Sequence, residues 1–197
     1  ALARLPGALE VEAGRDVPVR LVNGHRSERV TLQGWEAVPR LQRIVDVDRR
    51  EVRPRDDGLV LTDRLARKLG LQVGDPVRIE VLDGDGRVRV LPLRATAREM
   101  MGLNAYLERR ALNRLLGEDD VATRFSVAVE RGREAAFLQA AMDTPRVAGA
   151  FSKATLWRNM QQVSARNVRI MSTIRILDPD GFGGDAGDKD LHAGLRD

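Results

Sequence analysis

The run Gly58-Leu-Val-Leu-Thr-Asp-Arg-Leu-Ala-Arg-Lys-Leu-Gly-Leu-Gln-Val-Gly-Asp-Pro-Val-Arg-Ile-Glu-Val81 decides how this chain is read. Leu59 to Leu61 is a short apolar run bounded by turn signals, the pattern of a buried strand. Thr62 or Asp63 can cap the helix that follows, because a short side-chain oxygen there accepts from an otherwise orphaned N–H. Leu65, Ala66 and Leu69 share one helical face, and Gly70 ends the helix. Val73-Gly-Asp-Pro76 turns the chain. Val77 to Leu82 then alternates apolar and polar residues, as a half-buried strand does.

Downstream, Asp83-Gly-Asp-Gly86 is a second turn and Val88 to Leu93 a returning strand, with Pro92 pointing to a sheet edge. A strand is predicted near Asn104 to Leu107. A helix follows over Arg109 to Leu116, with Leu112, Leu115 and Leu116 inward and Gly117 as its stop. Phe125 to Glu130 alternates as a strand, and Arg133 to Met142 is a helix with Ala136, Phe137, Ala140 and Ala141 on one face. A last strand is predicted near Val147 to Phe151. Upstream, Ala1 to Leu5 reads as a helix end stopped by Pro6-Gly7. Leu9 to Glu12 and Val17 to Val22 read as two strands, and Asn23-Gly24 as a hairpin turn into a third, Glu28 to Gly34. Trp35 follows at one end of the core.

The opening residues 1–11 and residues 141–151 echo one another as helix end, proline turn and strand. The echo suggests an α+β fold: a βαβ-type half-domain split by a small β-rich lobe and followed by a basic amphipathic helix. Residues 1–35 plus 121–153 form the half-domain in this reading, and residues 36–120 form the lobe. Residues 154–177 are the helix, with Trp157, Met160, Val163, Val168, Met171 and Ile174 near helical spacing. Residues 178–197 carry six acidic and two basic residues among glycines, the composition of a disordered tail.

The whole chain is basic, with a net charge of +4, and thirty of its thirty-three basic residues are arginine. The arginines are interleaved with Asp and Glu, as in Val45-Asp-Val-Asp-Arg-Arg-Glu-Val52, which makes a mixed surface rather than a stripe that tracks phosphates. No nucleic-acid partner is expected. Absence of cysteine excludes disulfides, thiolate metal sites and thiol nucleophiles. No stretch approaches the roughly 20 apolar residues of a membrane-spanning helix. The chain does not begin with Met and reads as an excerpt from something longer.

Motifs for chemistry are missing. His25 falls in a hairpin turn and His192 in the acidic tail, neither with a partner for catalysis or metal binding. Asp83-Gly-Asp-Gly-Arg87 begins like a calcium loop, but Arg87 stands at position 5 and Arg94 at position 12, where ligands are needed. Glu118, Asp119 and Asp120 follow a helix stop and read as a solvated loop. There is no phosphate-binding Gly-Lys-Ser/Thr loop, GxGxxG or Gly-x-Ser-x-Gly elbow. Catalytic, cofactor-binding and metal residues are therefore expected to be none, no cofactor is expected, and the chain is read as not an enzyme.

The stretch Gly58 to Val81 resembles the extracytoplasmic segment of FtsX/MacB-type ABC transporter permeases, in which a strand, a small-residue helix, Leu-Gly, Val-Gly-Asp and a strand follow one another. Met101-Gly-Leu-Asn-Ala-Tyr-Leu107, Leu112-Asn-Arg-Leu-Leu-Gly117, Leu5-Pro-Gly and the Val17 to Gly34 hairpin are similar to neighbouring parts of that domain. Asn159 to Thr173 is similar to the stretch leading into its next membrane helix, although here Ile174-Arg-Ile-Leu runs into Asp178-Pro179. The resemblance implies a non-catalytic, MacB-like periplasmic domain on the extracytoplasmic side of the cytoplasmic membrane. Its partners would be an ABC ATPase subunit, the membrane, and a lipid, lipoprotein or peptide cargo or partner protein. A second reading is a soluble β-barrel-like binding module, for nucleic acid among other ligands.

Overall fold

The structure is a computed structural model, and it describes residues 2–48, 50–83, 86–99, 102–145, 147–150 and 152. The amphipathic helix predicted over 154–177, the tail predicted over 178–197 and His192 lie outside the described residues. The chain divides into two units, residues 1–140 and 141–197.

The first unit is a mixed α+β body built on one long strand, β1 (Ala8–Asn23). A tight turn at Gly24, whose φ of +58° suits glycine, leads into β2 (Arg26–Trp35). After a two-residue hairpin of β3 (Ile44–Val45) and β4 (Glu51–Val52) come β5 (Leu59–Thr62) and α1 (Asp63–Leu69). A second hairpin, β6 (Pro76–Val81) and β7 (Val88–Ala97), leads to β8 (Ala105–Glu108) and α2 (Arg109–Leu116). Then follow β9 (Arg124–Val129) and α3 (Glu134–Met142), whose last residues enter the second unit.

Six strands close on themselves. Ladders join β1 to β2, β2 to β8, β8 to β5, β5 to β7, β7 to β6, and β6 back to β1. Closure leaves this ring without a sheet edge. Its interior follows from period-two alternation: Val17, Val19 and Leu21 from β1, Leu59 and Leu61 from β5, Val77, Ile79 and Val81 from β6, and Leu107 from β8. Leu65, Leu69, Leu112 and Leu116 of the two helices join the same cluster. Val60 and Tyr106 point the other way, into a smaller cluster with Trp35, Ile44 and Ala97. The strands β5 and β8 are therefore buried on both faces, which is why they read as short, nearly continuous apolar runs. Each fully buried Leu is worth about 1.5–3 kcal/mol relative to an exposed one.

The barrel is a repeat. Hairpin, strand and helix occur as β1–β2, β5, α1 and again as β6–β7, β8, α2. Exchanging the two halves carries every ladder of the ring onto a ladder: the parallel pair β2–β8 becomes β7–β5, and the antiparallel pairs β1–β6 and β5–β8 map onto themselves. The opposed residues Val60 and Tyr106 exchange with each other, so an approximate two-fold axis passes between them. Both helices end alike. Gly70 N–H donates to Arg67 O and Leu71 N–H to Ala66 O; Gly117 N–H donates to Arg114 O and Glu118 N–H to Asn113 O. Each helix end is also covered by its own hairpin, α1 by Asn23 Nδ2 on Leu69 O at 3.0 Å, and α2 by Arg89 Nε on Leu115 O at 3.2 Å.

Several expectations are corrected. Residues 8–23 are one strand, not two. Its first part, Ala8 to Gly14, pairs with β9, and its second pairs with β2 and β6. A boundary at 35/36 therefore does not separate two lobes: β2 pairs with β8 and β1 with β6, across that line. Among the described residues the repeat is hairpin, strand and helix, β1 to α1 and β6 to α2, and the predicted pairing of residues 1–11 with 141–151 is not part of it. Pro92 is not on an outer strand, since β7 lies between β6 and β5; it stands opposite Pro76, just before the β5 ladder starts at Leu93. Val147 to Ala150 is not a strand; Val147 N–H donates to Thr144 O in a turn, and Phe151 lies outside the described residues. On α3, Phe137 and Ala141 are buried but Ala136 is exposed.

Candidate functional site

Where β1 leaves the barrel to pair with β9, polar side chains collect. Gly14, Arg15 and Asp16 sit at this crossing. On one side, Arg15 donates through one terminal nitrogen to both oxygens of Glu118 at 3.0 Å. The neighbouring Arg109, the first residue of α2, has a side chain only 6% exposed. Its Nε donates to Glu36 Oε1 at 2.7 Å, and its terminal nitrogen pairs with Asp120 and reaches Val121 O. Asn113 Nδ2, one helical turn on, also donates to Val121 O at 3.0 Å. The Arg109 guanidinium holds the Asp120 carboxyl below the usual carboxylate range.

On the other side stands Arg124, the first residue of β9. Its guanidinium lies close over Gly14: a Cβ there would be 3.0 Å from a terminal nitrogen, so Arg124 would have to shift slightly for any larger residue. Arg124 donates to Gln42 Oε1 at 2.8 Å and places its guanidinium 5.7 Å from the centre of the Trp35 ring. Its Nε lies 3.1 Å from Asp16 Oδ2, at an angle too bent for a hydrogen bond. Burial pushes the Asp16 carboxyl above its ordinary range, against the opposing pull of Arg124 and then Arg15. The Asp16 amide donates to Thr123 Oγ1 at 3.0 Å.

Sequence reasoning missed this junction. Glu118 and Asp120 are not a purely solvated pair, because they receive Arg15 and Arg109; Asp119 is exposed. The signal was present only as an excess of Arg and Asp around 15–16, 109 and 118–124. His25 is exposed in the β1–β2 turn, as expected, and so is Asp83 of the calcium-like loop. Among the described residues, no group of three or more His, Asp or Glu side chains is placed to hold a metal ion. Two open clefts are present. One of about 500 Å³ is lined by Glu10, Glu12, Glu36, Arg40 and Arg110, and another of about 820 Å³ by Arg50, Glu51, Arg53, Asp56 and Arg114 among others. Their charges are mixed. In the first, Glu12 already accepts from the Arg40 and Leu41 amides at 2.6 and 2.9 Å. The junction's contacts hold the loops around Glu36 and Asp120 against β1 and α2. Among the described residues, no helix is long and apolar enough to cross a membrane.

No protein-family model matches this chain, and no curated protein sequence matches it. Among solved structures it is similar to the extracellular domain of the noncanonical ABC-type transporter YknZ from Gram-positive bacteria. The two are 17% identical, over 72% of this chain and 76% of that one, with a TM-score of 0.48. It is also similar to the periplasmic region of MacB from Actinobacillus actinomycetemcomitans, at 13% identity over 81% of this chain and 79% of that one, with a TM-score of 0.45. Both are outer domains of the transporter class that the sequence resembles.

Proposed function

We propose that this chain is a non-catalytic extracytoplasmic domain of an ABC transporter permease, held at the cytoplasmic membrane. It passes ATP-driven movement of the membrane helices to a lipid, lipoprotein or peptide cargo or to a partner protein. The ATPase is a separate subunit. The sequence resemblance that begins at Gly58 to Val81 supports the class. The observation that carries the mechanical role is β1: a single 16-residue strand belongs both to the antiparallel ribbon with β9 and to the closed barrel. A displacement of the ribbon is delivered to the barrel through hydrogen-bonded backbone rather than through a loop.

The test uses the gene in its own cell. Leu9 is exposed and residues 1–197 contain no cysteine, so Leu9→Cys gives a label site that is unique within this chain. In intact cells it should react with a membrane-impermeant maleimide, and the protein should co-purify with an ATP-binding subunit. Protection in intact cells with reaction only after lysis refutes the location.

The second reading is a barrel-type binding module, which the closed six-stranded ring favours. For nucleic acid the charges argue against it. Arg15, Arg20, Arg55, Arg78, Arg98, Arg109 and Arg124 are each within ion-pair distance of a carboxylate of the protein, so they are not free for phosphates. DNA binding that weakens steeply as salt rises would establish the second reading and remove the first.

A further inference from the structure

Four buried side-chain atoms have no hydrogen-bond partner among the described residues: Arg15 Nε, Arg124 Nε, Asp16 Oδ1 and Asn113 Oδ1. All four lie at the crossing of barrel and ribbon. Two are donors and two are acceptors. They also divide by location. Asp16 and Arg124 face each other, with Arg124 Nε already 3.1 Å from the other Asp16 oxygen. Arg15 and Asn113 both adjoin Glu118, Arg15 through its ion pair and Asn113 through its carbonyl, which accepts the Glu118 amide. Successive strand residues point to opposite faces, so the Arg15 side of β1 holds an idle donor from Arg15 and an idle acceptor from Asn113, and the Asp16 side an idle acceptor from Asp16 and an idle donor from Arg124.

Buried polar groups left unpaired are costly and rare in native proteins, and each calls for a reason. One such atom is an irregularity. Four in one joint, matched in number and kind, describe a second set of bonds. We infer that the ribbon of β1 and β9 has a second orientation on the barrel. In it Arg124 forms a two-pronged contact with both Asp16 oxygens, and Arg15 Nε is satisfied on the Asn113 side. In the observed orientation Glu118 and Gln42 hold the terminal nitrogens of these arginines instead. Gly14 eases the movement, since the Arg124 guanidinium lies close over a position that carries no side chain. The joint is thus a two-position device: bonds lost in one position are replaced in the other, as a bistable element requires. Its use in transmitting motion rests on the proposed function; its existence does not.

The experiment measures the ribbon-to-barrel distance in the 197-residue chain. Nitroxide labels are placed at Leu9→Cys on the ribbon and Val90→Cys on the barrel, sites that are 70% and 60% exposed. Pulsed electron resonance should resolve two distances. Arg124→Lys and Arg15→Lys keep the charge, and the ammonium can still meet Gln42 or Glu118 as in the observed orientation, but both lose the Nε that only the second orientation uses. Each should reduce the second population at least threefold. Glu118→Gln weakens a bond of the observed orientation and should raise the second population by a similar factor; it retains a decisive readout if an arginine variant folds poorly. A single distance in the unsubstituted chain and in Glu118→Gln overturns the inference. So do two distances whose ratio none of the three substitutions moves. Failure here leaves the maleimide result untouched, and failure there leaves this distance measurement untouched.

Discussion

The two strand–helix units of the barrel have the same geometry but differ in what they bury beside the shared apolar core. Leu59–Thr62 with α1 supplies apolar side chains: Leu59, Val60, Leu61, Leu65, Ala66 and Leu69 are all buried. Ala105–Glu108 with α2 keeps Leu107, Ala111, Leu112 and Leu116 in the core, but it also buries Glu108, Arg109 and Asn113. Under the two-fold exchange Thr62 corresponds to Glu108 and Asp63 to Arg109. At the first position Thr62 Oγ1 leaves its own helix uncapped and accepts from the Asn104 amide at 3.2 Å. At the second, Glu108 accepts from the Arg110 and Ala111 amides at 3.0 and 2.7 Å and caps α2. Both repeats feed the common core, and the first adds little else. The other spends part of its buried surface holding the Glu36 and Asp120 loops, and through them the path to β9.

The largest effects should be shared by both repeats. Leu61→Ala and Leu107→Ala empty equivalent places in one fully buried cluster, and each should cost about 2–5 kcal/mol in urea unfolding. A Leu107→Ala cost below about 1 kcal/mol would mean that the second repeat is not part of the common core, and the comparison would break. Next comes the position at which the repeats differ. Arg109→Leu should cost about 1–3 kcal/mol, because it strips partners from a charged hydrogen-bond network. The value lies below that of a fully buried pair because Glu36 and Asp120 are 32% and 71% exposed. Its counterpart Asp63→Ala, half-buried and without a comparable network, should stay within about 0.5 kcal/mol. Equal costs at the two positions would show that the polar load of the second repeat has no structural weight.

Much of the barrel is written in local pattern. The helices end at Gly70 and Gly117 as the sequence predicts, where φ is +66° and +68°. The first hairpin turn is also at its predicted place, and β6 and β7 pair on either side of the second. What escapes is non-local. Gly14-Arg15-Asp16 has the polarity of a turn, and nothing near it in sequence says that β9 continues the pairing more than a hundred residues later. Arg15 meets Glu118 at a separation of 103 residues, and Arg124 meets Gln42 at 82. Such partners leave no periodic signature. The repeat was hidden for a different reason. Leu-Val-Leu-Thr and Ala-Tyr-Leu-Glu fill equivalent strands but share only the leucine at the third place, and the helices that follow differ in length by one residue before their Leu-Gly ends.

A smaller effect separates the two caps. Glu108→Ala should cost about 1 kcal/mol and speed hydrogen exchange at the Arg110 and Ala111 amides. Thr62→Val, at the matching place, should instead speed exchange at the Asn104 amide and leave the first turn of α1 unchanged. Faster exchange in α1 would assign Thr62 an ordinary capping role and reduce the difference between the repeats.

The smallest effect tests the crossing itself, through Asp16. Its carboxyl faces Arg124 from β9, has Arg15 beside it on β1, stands opposite uncharged Gln33 on β2, and has Thr123 bonded to its amide. Desolvation outweighs the two arginines, so its pKa in the folded chain lies above the ordinary value of 3.8. For an acid raised on folding, the folded state binds the proton more tightly than the unfolded state does. The resulting stabilisation is complete below the unfolded value and is lost as pH rises through the folded one. Asp16→Asn removes this titration and retains the shape. The unsubstituted protein should therefore lose stability relative to Asp16→Asn as pH rises from about 3 through the region just above 3.8, and the difference should then level off. If the gap changes in the other direction, Arg124 and Arg15 outweigh burial. The contact at 3.1 Å would then be a formed ion pair in solution rather than one waiting for a better geometry.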